Sequence, residues 1–349
     1  PPPLTPPRPP PDPHTSTPSS AASDVYKRQA LVTGASSGIG RHLSGVLARA
    51  GAQVVVVARR AEALDAVVGE IQAQGGAHRS PRCRDQRSWC MNAFVTDLFS
   101  LDGRVALVTG ASSGIGRHLS SVLARAGAQV VVVARRAEAL DAVVGEIQAQ
   151  GGAAQALPWD VGDLEGLPAL ANASSAVFGA PTILITAAGM NPRRPADEIS
   201  VAEWQATLDL NLSAPFFLAQ ALVPGMRAAQ VGNIINIASL QTSRAFTNGI
   251  AYGAAKGGIG QLTRAMAEAW SGGESGIVAN AIAPGFFPTE LTAPVFGDDA
   301  TAGHHAAMTC IGRNGQMTDL DGAVLFLASR ASSYVTGQIL PVDGGYTAK

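Results

Sequence analysis

Three side chains late in the chain have the types and spacing for proton chemistry at a carbonyl or an alcohol. Tyr252 and Lys256 stand four residues apart at the start of a helical pattern, which puts both on one helix face. An ammonium beside a phenol favours the phenolate and lowers the tyrosine pKa. A tyrosine tuned in this way can donate a proton to a carbonyl oxygen or take one from an alcohol. Ser239 lies thirteen residues earlier, just past an apolar run. A hydroxyl there can stabilise charge developing on the same oxygen. Singly these residues are ordinary: a Tyr/Lys pair at this spacing is usually solvated helix surface, and a serine after a strand usually forms a turn. What joins them is a dinucleotide-binding signal upstream.

That signal is residues 105–116, VALVTGASSGIG. An aliphatic run ends in Thr109, and Gly110, Gly114 and Gly116 follow with Ser112, Ser113 and Ile115 between them. Ile115, Leu119, Val122, Leu123 and Ala126 then mark one helix face. A buried strand that turns through small residues into a helix lets a pyrophosphate approach backbone N–H groups at the positive end of the helix dipole. The next strand ends Ala134-Arg135-Arg136, with no acid to bond a ribose 2′-OH and two guanidinium groups placed for a 2′-phosphate. The expected cofactor is therefore NADP(H).

Strand and helix patterns alternate around these residues, which predicts a doubly wound parallel sheet of seven strands, an α/β Rossmann-type catalytic domain. Strands are expected at 105–109, 129–134, 156–161, 182–186, 233–238, 277–283 and 338–342. Helices are expected to about Ala126, over 137–150 and over 252–270. A helical pattern over 202–226 is broken by Pro215 and Pro224.

With 25 Lys+Arg against 26 Asp+Glu, the balance points to no nucleic-acid partner and no membrane-surface partner. Cys83, Cys90 and Cys310 match no zinc spacing and cannot complete a disulfide framework, as in a reducing, cytoplasmic setting. No run approaches a membrane span in length, and the amino terminus lacks a secretory pattern.

The first ninety residues have a different character. Ten of the first eighteen are proline, and residues 1–29 are expected to be a disordered extension. Residues 24–29 (DVYKRQ) match the in-frame translation of a transposon-end adapter from sequencing libraries, which would make this extension non-biological. Residues 30–77 repeat as 106–153 with one difference in 48 positions, Gly45 against Ser121. True structural repeats diverge further than that. Residues 30–90 are therefore expected to be a duplicated partial dinucleotide-binding segment plus an arginine-rich linker, loosely packed and outside the active site. Met91 is the expected natural start, and 91–349 the catalytic domain.

Taken together, Thr109-Gly110-x3-Gly114-x-Gly116, Asp160-Val161, Asn211, Ser239, Tyr252-x3-Lys256 and Pro284-Gly285 resemble the short-chain dehydrogenase/reductase family over roughly 101–349. The resemblance implies that Tyr252 is the general acid/base. Lys256 would lower its pKa and hold the nicotinamide ribose, Ser239 would orient the substrate carbonyl, and Asn211 would hold a water in the proton relay. It further implies that Asp160 bonds the adenine and Thr289 the carboxamide, with Val161, Ala188, Gly189, Pro284 and Gly285 lining the cofactor. A homotetramer is the implied assembly. The family's usual Asn-Asn-Ala-Gly reads Thr186-Ala187-Ala188-Gly189 here, which removes asparagine hydrogen bonds from the sheet. His304 and His305 fall in the expected substrate loop and are read as solvated.

The function that follows is an NADP(H)-dependent interconversion of a carbonyl and a secondary alcohol on a sugar acid, polyol or similar small substrate. One alternative is reduction of a 3-oxoacyl group on acyl carrier protein. From another class comes a non-catalytic dinucleotide-binding sensor or scaffold, which would ordinarily have lost Tyr252 or Lys256.

Overall fold

A computed structural model describes residues 29–58, 60–73 and 93–349. The expectations for residues 1–28, for the linker with Cys83 and Cys90, and for a start at Met91 lie outside the described residues. The chain divides into two compact units between Asp97 and Leu98.

In the first unit the duplicated segment folds as β1 (Gln29–Thr33), α1 (Gly38–Arg49), β2 (Gln53–Val57) and α2 (Ala61–Ala73). Helix α3 (Ala93–Phe99) follows. β1 and β2 pair in parallel as a two-stranded sheet, with Gln29 opposite Gln53. Gln29, expected within the disordered extension, instead opens β1. The segment is thus regular in backbone, yet Leu31 is 69% exposed and Val55 55% exposed. Helices α1 and α2 pack on β1 and β2 and bury Val32, Ala48 and Val67, while the positions of Leu31 and Val55 are left uncovered.

The second unit holds the second copy in its sheet. β3 (Val105–Thr109), α4 (Gly114–Arg125), β4 (Gln129–Ala134) and α5 (Ala137–Ala149) lead into β5 (Ala153–Pro158). The β3–β4 register repeats that of β1–β2, but now every residue of β3 and the four valines of β4 are buried. Burying each valine or leucine among them contributes roughly 1.5–3 kcal/mol. Then come α6 (Leu167–Phe178), β6 (Ile183–Thr186), α7 (Val201–Leu208), α8 (Ala214–Ala228), β7 (Gly232–Ile237), α9 (Ile250–Trp270) and β8 (Ile277–Pro284). Short helices α10 (Ala293–Phe296), α11 (Asp299–Ala307) and α12 (Asp321–Ala328) precede β9 (Ile339–Val342).

The seven strands run in the order β5-β4-β3-β6-β7-β8-β9, all parallel. Side chains alternate across the sheet. Ala106 and Val108 face a core with Leu119, Leu123 and Leu140, while Val105 and Leu107 face another with Leu167, Leu218 and Met266. The chain reverses its direction of sheet growth between β3 and β6, and ligands bind at such a switch point, beyond the carboxyl ends of the strands.

Two expectations fail around α7 and α8. Neither proline breaks the helix: a five-residue π-turn, Asp209–Ser213, lies between α7 and α8, and Pro215 sits in the first turn of α8. A first-turn proline needs no N–H partner. Pro224 lies inside α8, where the buried Leu218, Leu222, Val223 and Met226 outweigh its cost of about 3 kcal/mol. The continuous helical run Val201–Ala228 is also long and apolar enough to cross a membrane by length and composition alone. Its apolar side packs into the core along β7 and α6.

Candidate active site

Ser239 lies two residues past the end of β7 and opens a turn of 3-10 helix over Leu240–Thr242, its Oγ accepting from the Gln241 N–H at 3.1 Å. Tyr252 and Lys256 come from the first two turns of α9 and are 8% and 4% exposed. The Ser239 hydroxyl lies near enough to act on the Tyr252 phenol, so the two hydroxyls approach each other at the carboxyl end of the sheet. Lys256 Nζ donates to Ile237 O at 2.7 Å and lies 5.6 Å from the Tyr252 ring centroid.

Electrostatics here run against the simple expectation. Burial pushes the Tyr252 phenol above its usual range, offset in part by the Ser239 hydroxyl and the charge of Arg193. Lys256 is not among the groups that lower it. Burial also lowers the lysine itself, from 10.5 to about 8. Loss of water disfavours both charged forms, and the ammonium spends its closest contact on a backbone carbonyl.

The glycine turn follows β3 at the same carboxyl edge of the parallel sheet. Gly110 has φ +66, and a Cβ there would stand 2.6 Å from Ala188 N, so β3 and β6 close on each other only through glycine. Likewise a Cβ on Gly116 would meet Gly110 O at 2.4 Å. Ser113 caps α4 with no side-chain bond to the helix, and no acid occupies the first turn. The uncapped N–H groups, the space that glycine leaves and half-buried Ile115 at the core edge make a cradle that fits a pyrophosphate. Arg135 and Arg136 are exposed at the end of β4, with Arg136 reaching Ser112 Oγ at 3.2 Å and Ser113 Oγ at 3.3 Å. Asp160 lies exposed beyond β5, accepting from Gly162 N at 2.9 Å, beside buried Val161. Gly285, after Pro284 at the end of β8, passes so close to β9 that a Cβ would stand 2.9 Å from Asp343 Cα. Thr289 leans over the turn, its Cβ 3.2 Å from where a Cβ on Gly114 would be.

Comparison with known proteins fits this geometry. A family model described as Enoyl-(Acyl carrier protein) reductase matches residues 110–347, and one described as short chain dehydrogenase matches residues 28–89. Gluconate 5-dehydrogenase of Gluconobacter oxydans (strain 621H) is 42% identical over 251 residues, covering 72% of this chain and 97% of that protein. The chain belongs to the short-chain dehydrogenase/reductase family. D-Threitol dehydrogenase of Mycolicibacterium smegmatis is 36% identical, over 72% of this chain and 95% of that one. A crystal structure of a gluconate 5-dehydrogenase from Burkholderia cenocepacia J2315, in complex with NADP and tartrate, superposes with a TM-score of 0.70. It is 39% identical, over 73% of this chain and 99% of that one.

Within this family member, three further residues have defined partners. Asn211, fully buried in the π-turn, donates its amide to Thr207 O at 2.9 Å and Met190 O at 3.0 Å, and accepts from Met190 N. Both of its side-chain protons serve backbone carbonyls, so the side chain holds the loop after Gly189. Thr186 makes up for the missing asparagine: its hydroxyl donates to Asn236 Oδ1 at 2.8 Å, and Asn236 donates on to Thr263. His305 is half-buried. It stacks on Phe286 at 3.7 Å between ring centroids, within 3.3 Å of the Tyr346 hydroxyl, and burial lowers its pKa.

Two site residues escaped the sequence reading. Arg193, in the loop after β6, has φ 51, donates to Leu291 O at 3.2 Å, and lies near enough for its charge to act on both Tyr252 and His305. Its signal was a cation just beyond the switch-point strand. Glu290, in the loop after β8, bonds Ser113 and Arg136. Nothing local to Glu290 announces a partner 154 residues away.

Proposed function

We propose that this chain is an NADP(H)-dependent oxidoreductase that interconverts a secondary alcohol and a carbonyl on a sugar acid or a related polyol. The observation that carries the reading is the approach of the Ser239 and Tyr252 hydroxyls at the same carboxyl edge of the sheet as the glycine cradle, with the Arg193 charge acting on the same tyrosine. The cradle at Gly110, Gly114 and Gly116 would hold the pyrophosphate, Arg135 and Arg136 the 2′-phosphate, Asp160 the adenine, and Lys256 the nicotinamide ribose. Bound there, the dinucleotide supplies or takes the hydride.

The chain's own part is the proton. Burial keeps the Tyr252 phenol protonated, which is the form that donates to a carbonyl oxygen as it gains negative charge. The Ser239 hydroxyl donates to the same oxygen and fixes its position. In the oxidative direction Tyr252 first gives up its proton, which the neighbouring Arg193 cation favours, and the phenolate then takes the alcohol proton. Arg193 supplies a fork of donors suited to a carboxylate, which supports an anionic sugar over a neutral one. Assembly as a homotetramer belongs to the same proposal.

The test is a panel of keto-sugar acids, ketoses and 3-oxoacyl thioesters followed by NADPH consumption. The expected result is turnover of a keto-sugar acid, with Arg193→Gln raising its KM far more than that of a neutral ketose. Faster turnover of the thioester, or an Arg193→Gln effect equal on charged and neutral substrates, would overturn the assignment.

A further inference from the structure

We propose that Glu290 is a built-in competitor for the 2′-phosphate site and thereby sets how strongly the protein discriminates between the two nicotinamide dinucleotides. The proposal rests on the NADP(H) reading above. Its basis is a set of donors gathered on one carboxylate. Ser113 Oγ donates to Glu290 Oε2 at 3.0 Å, and the Arg136 guanidinium donates to both carboxylate oxygens at 3.1–3.3 Å. The same guanidinium reaches Ser112 and Ser113. A guanidinium and a hydroxyl, placed beside an uncapped helix terminus, are the chemistry that binds a phosphate monoester. In this structure a side-chain carboxylate sits among them.

The duplicated segment supplies an internal control. Arg60 and Ser36 are the counterparts of Arg136 and Ser112, and Arg60 NH2 reaches Ser36 Oγ at 3.4 Å. Among the described residues no carboxylate pairs with Arg60. The arginine's reach across the glycine turn is therefore a property of the repeated unit. The carboxylate is an addition, delivered by a loop from the far side of the sheet.

Charge then decides which ligand displaces it. The pair is exposed, with Arg136 and Glu290 side chains 55% and 65% accessible, so water screens it and it opens readily. A 2′-phosphate carries close to two negative charges and competes directly for Arg136 and Ser113. It must also drive off a like charge. A ribose with a free 2′-OH does not compete, and can donate that hydroxyl to the carboxylate. Glu290 thus weakens phosphate binding and leaves the unphosphorylated ribose tolerated, narrowing the gap between the two.

The experiment measures affinity of the full chain for 2′,5′-ADP and for 5′-AMP by calorimetry, in wild type, Glu290→Gln, Arg136→Ala and the double variant. Expected is a three- to tenfold tightening of 2′,5′-ADP in Glu290→Gln, with 5′-AMP unchanged or weaker, and no such tightening once Arg136 is alanine. A wild type that prefers 2′,5′-ADP, combined with a Glu290→Gln variant that binds it no more tightly, overturns the role of Glu290 alone. Equal binding of the two probes in wild type and in Glu290→Gln alike overturns the NADP(H) reading, and the proposal with it.

Discussion

Lys256→Met isolates the cost of burying an ammonium beside the candidate proton donor. In the folded chain burial lowers the lysine from 10.5 to about 8, with 4% of the residue exposed. Two and a half pKa units correspond to about 3 kcal/mol against the charged form at neutral pH. For a base whose pKa falls on folding, the unfolded chain binds more protons between pH 8 and 10.5, so stability rises with pH across that window. The penalty is fully present below pH 8 and disappears as pH climbs towards 10.5. Methionine removes the penalty but leaves Ile237 O without the ammonium, at a cost of about 1–3 kcal/mol. The two terms nearly cancel at pH 7. Between pH 7 and 9.5 the wild type should therefore gain about 2 kcal/mol relative to the variant. Urea unfolding of both proteins at a series of pH values, without cofactor, reads this directly. Parallel curves would show that Lys256 keeps an ordinary pKa when folded.

Three further outcomes are expected. Tyr252→Phe should lower turnover by about a hundred- to ten-thousand-fold while NADPH binding, measured by fluorescence, stays near wild type; rapid reduction by this variant would remove the phenol from the chemistry. Arg135→Asp should cost about ten- to a hundred-fold in kcat/KM with NADPH and little with NADH, since it removes a charge-assisted bond to phosphate. An NADH-preferring wild type would defeat that inference. Deleting residues 1–90 should leave melting temperature and NADPH-dependent rate nearly unchanged, because the seven-stranded sheet takes its first two strands from the second copy. Failure of the shortened chain to fold would place the first copy within the structure.

What could be read from the sequence was whatever depends on neighbours along the chain. The succession of strands and helices along the chain follows from alternating periodicity, and the glycine turn from close approaches that glycine alone permits at Gly110 and Gly116. Tyr252 and Lys256 share a helix face because four residues make one turn. Local rules failed where packing decided. Pro215 and Pro224 read as breakers, but one falls in a first turn and the other is held by a buried helix face. The π-turn that presents Asn211 leaves no mark in a pattern of apolar residues. Tyr252 was read from its neighbour's charge, yet burial prevails, and burial belongs to the folded whole. Glu290 with Arg136, and Arg193 with Tyr252, meet only across loops from different strands.

The duplication has a practical consequence for measurement. Residues 46–58 and 122–134 are identical in sequence, so peptides cut from them have one mass. One comes from a strand with exposed alternate positions and the other from a buried central strand. Amide hydrogen exchange should therefore be fast in the first and slow in the second. A mass spectrometer would record two isotopic envelopes for a single peptide from a single pure protein. Such a bimodal pattern is ordinarily taken as a sign of slow cooperative unfolding. In this chain it would instead report one sequence in two surroundings, and the area ratio of the envelopes would stay at one to one however long the exchange was run.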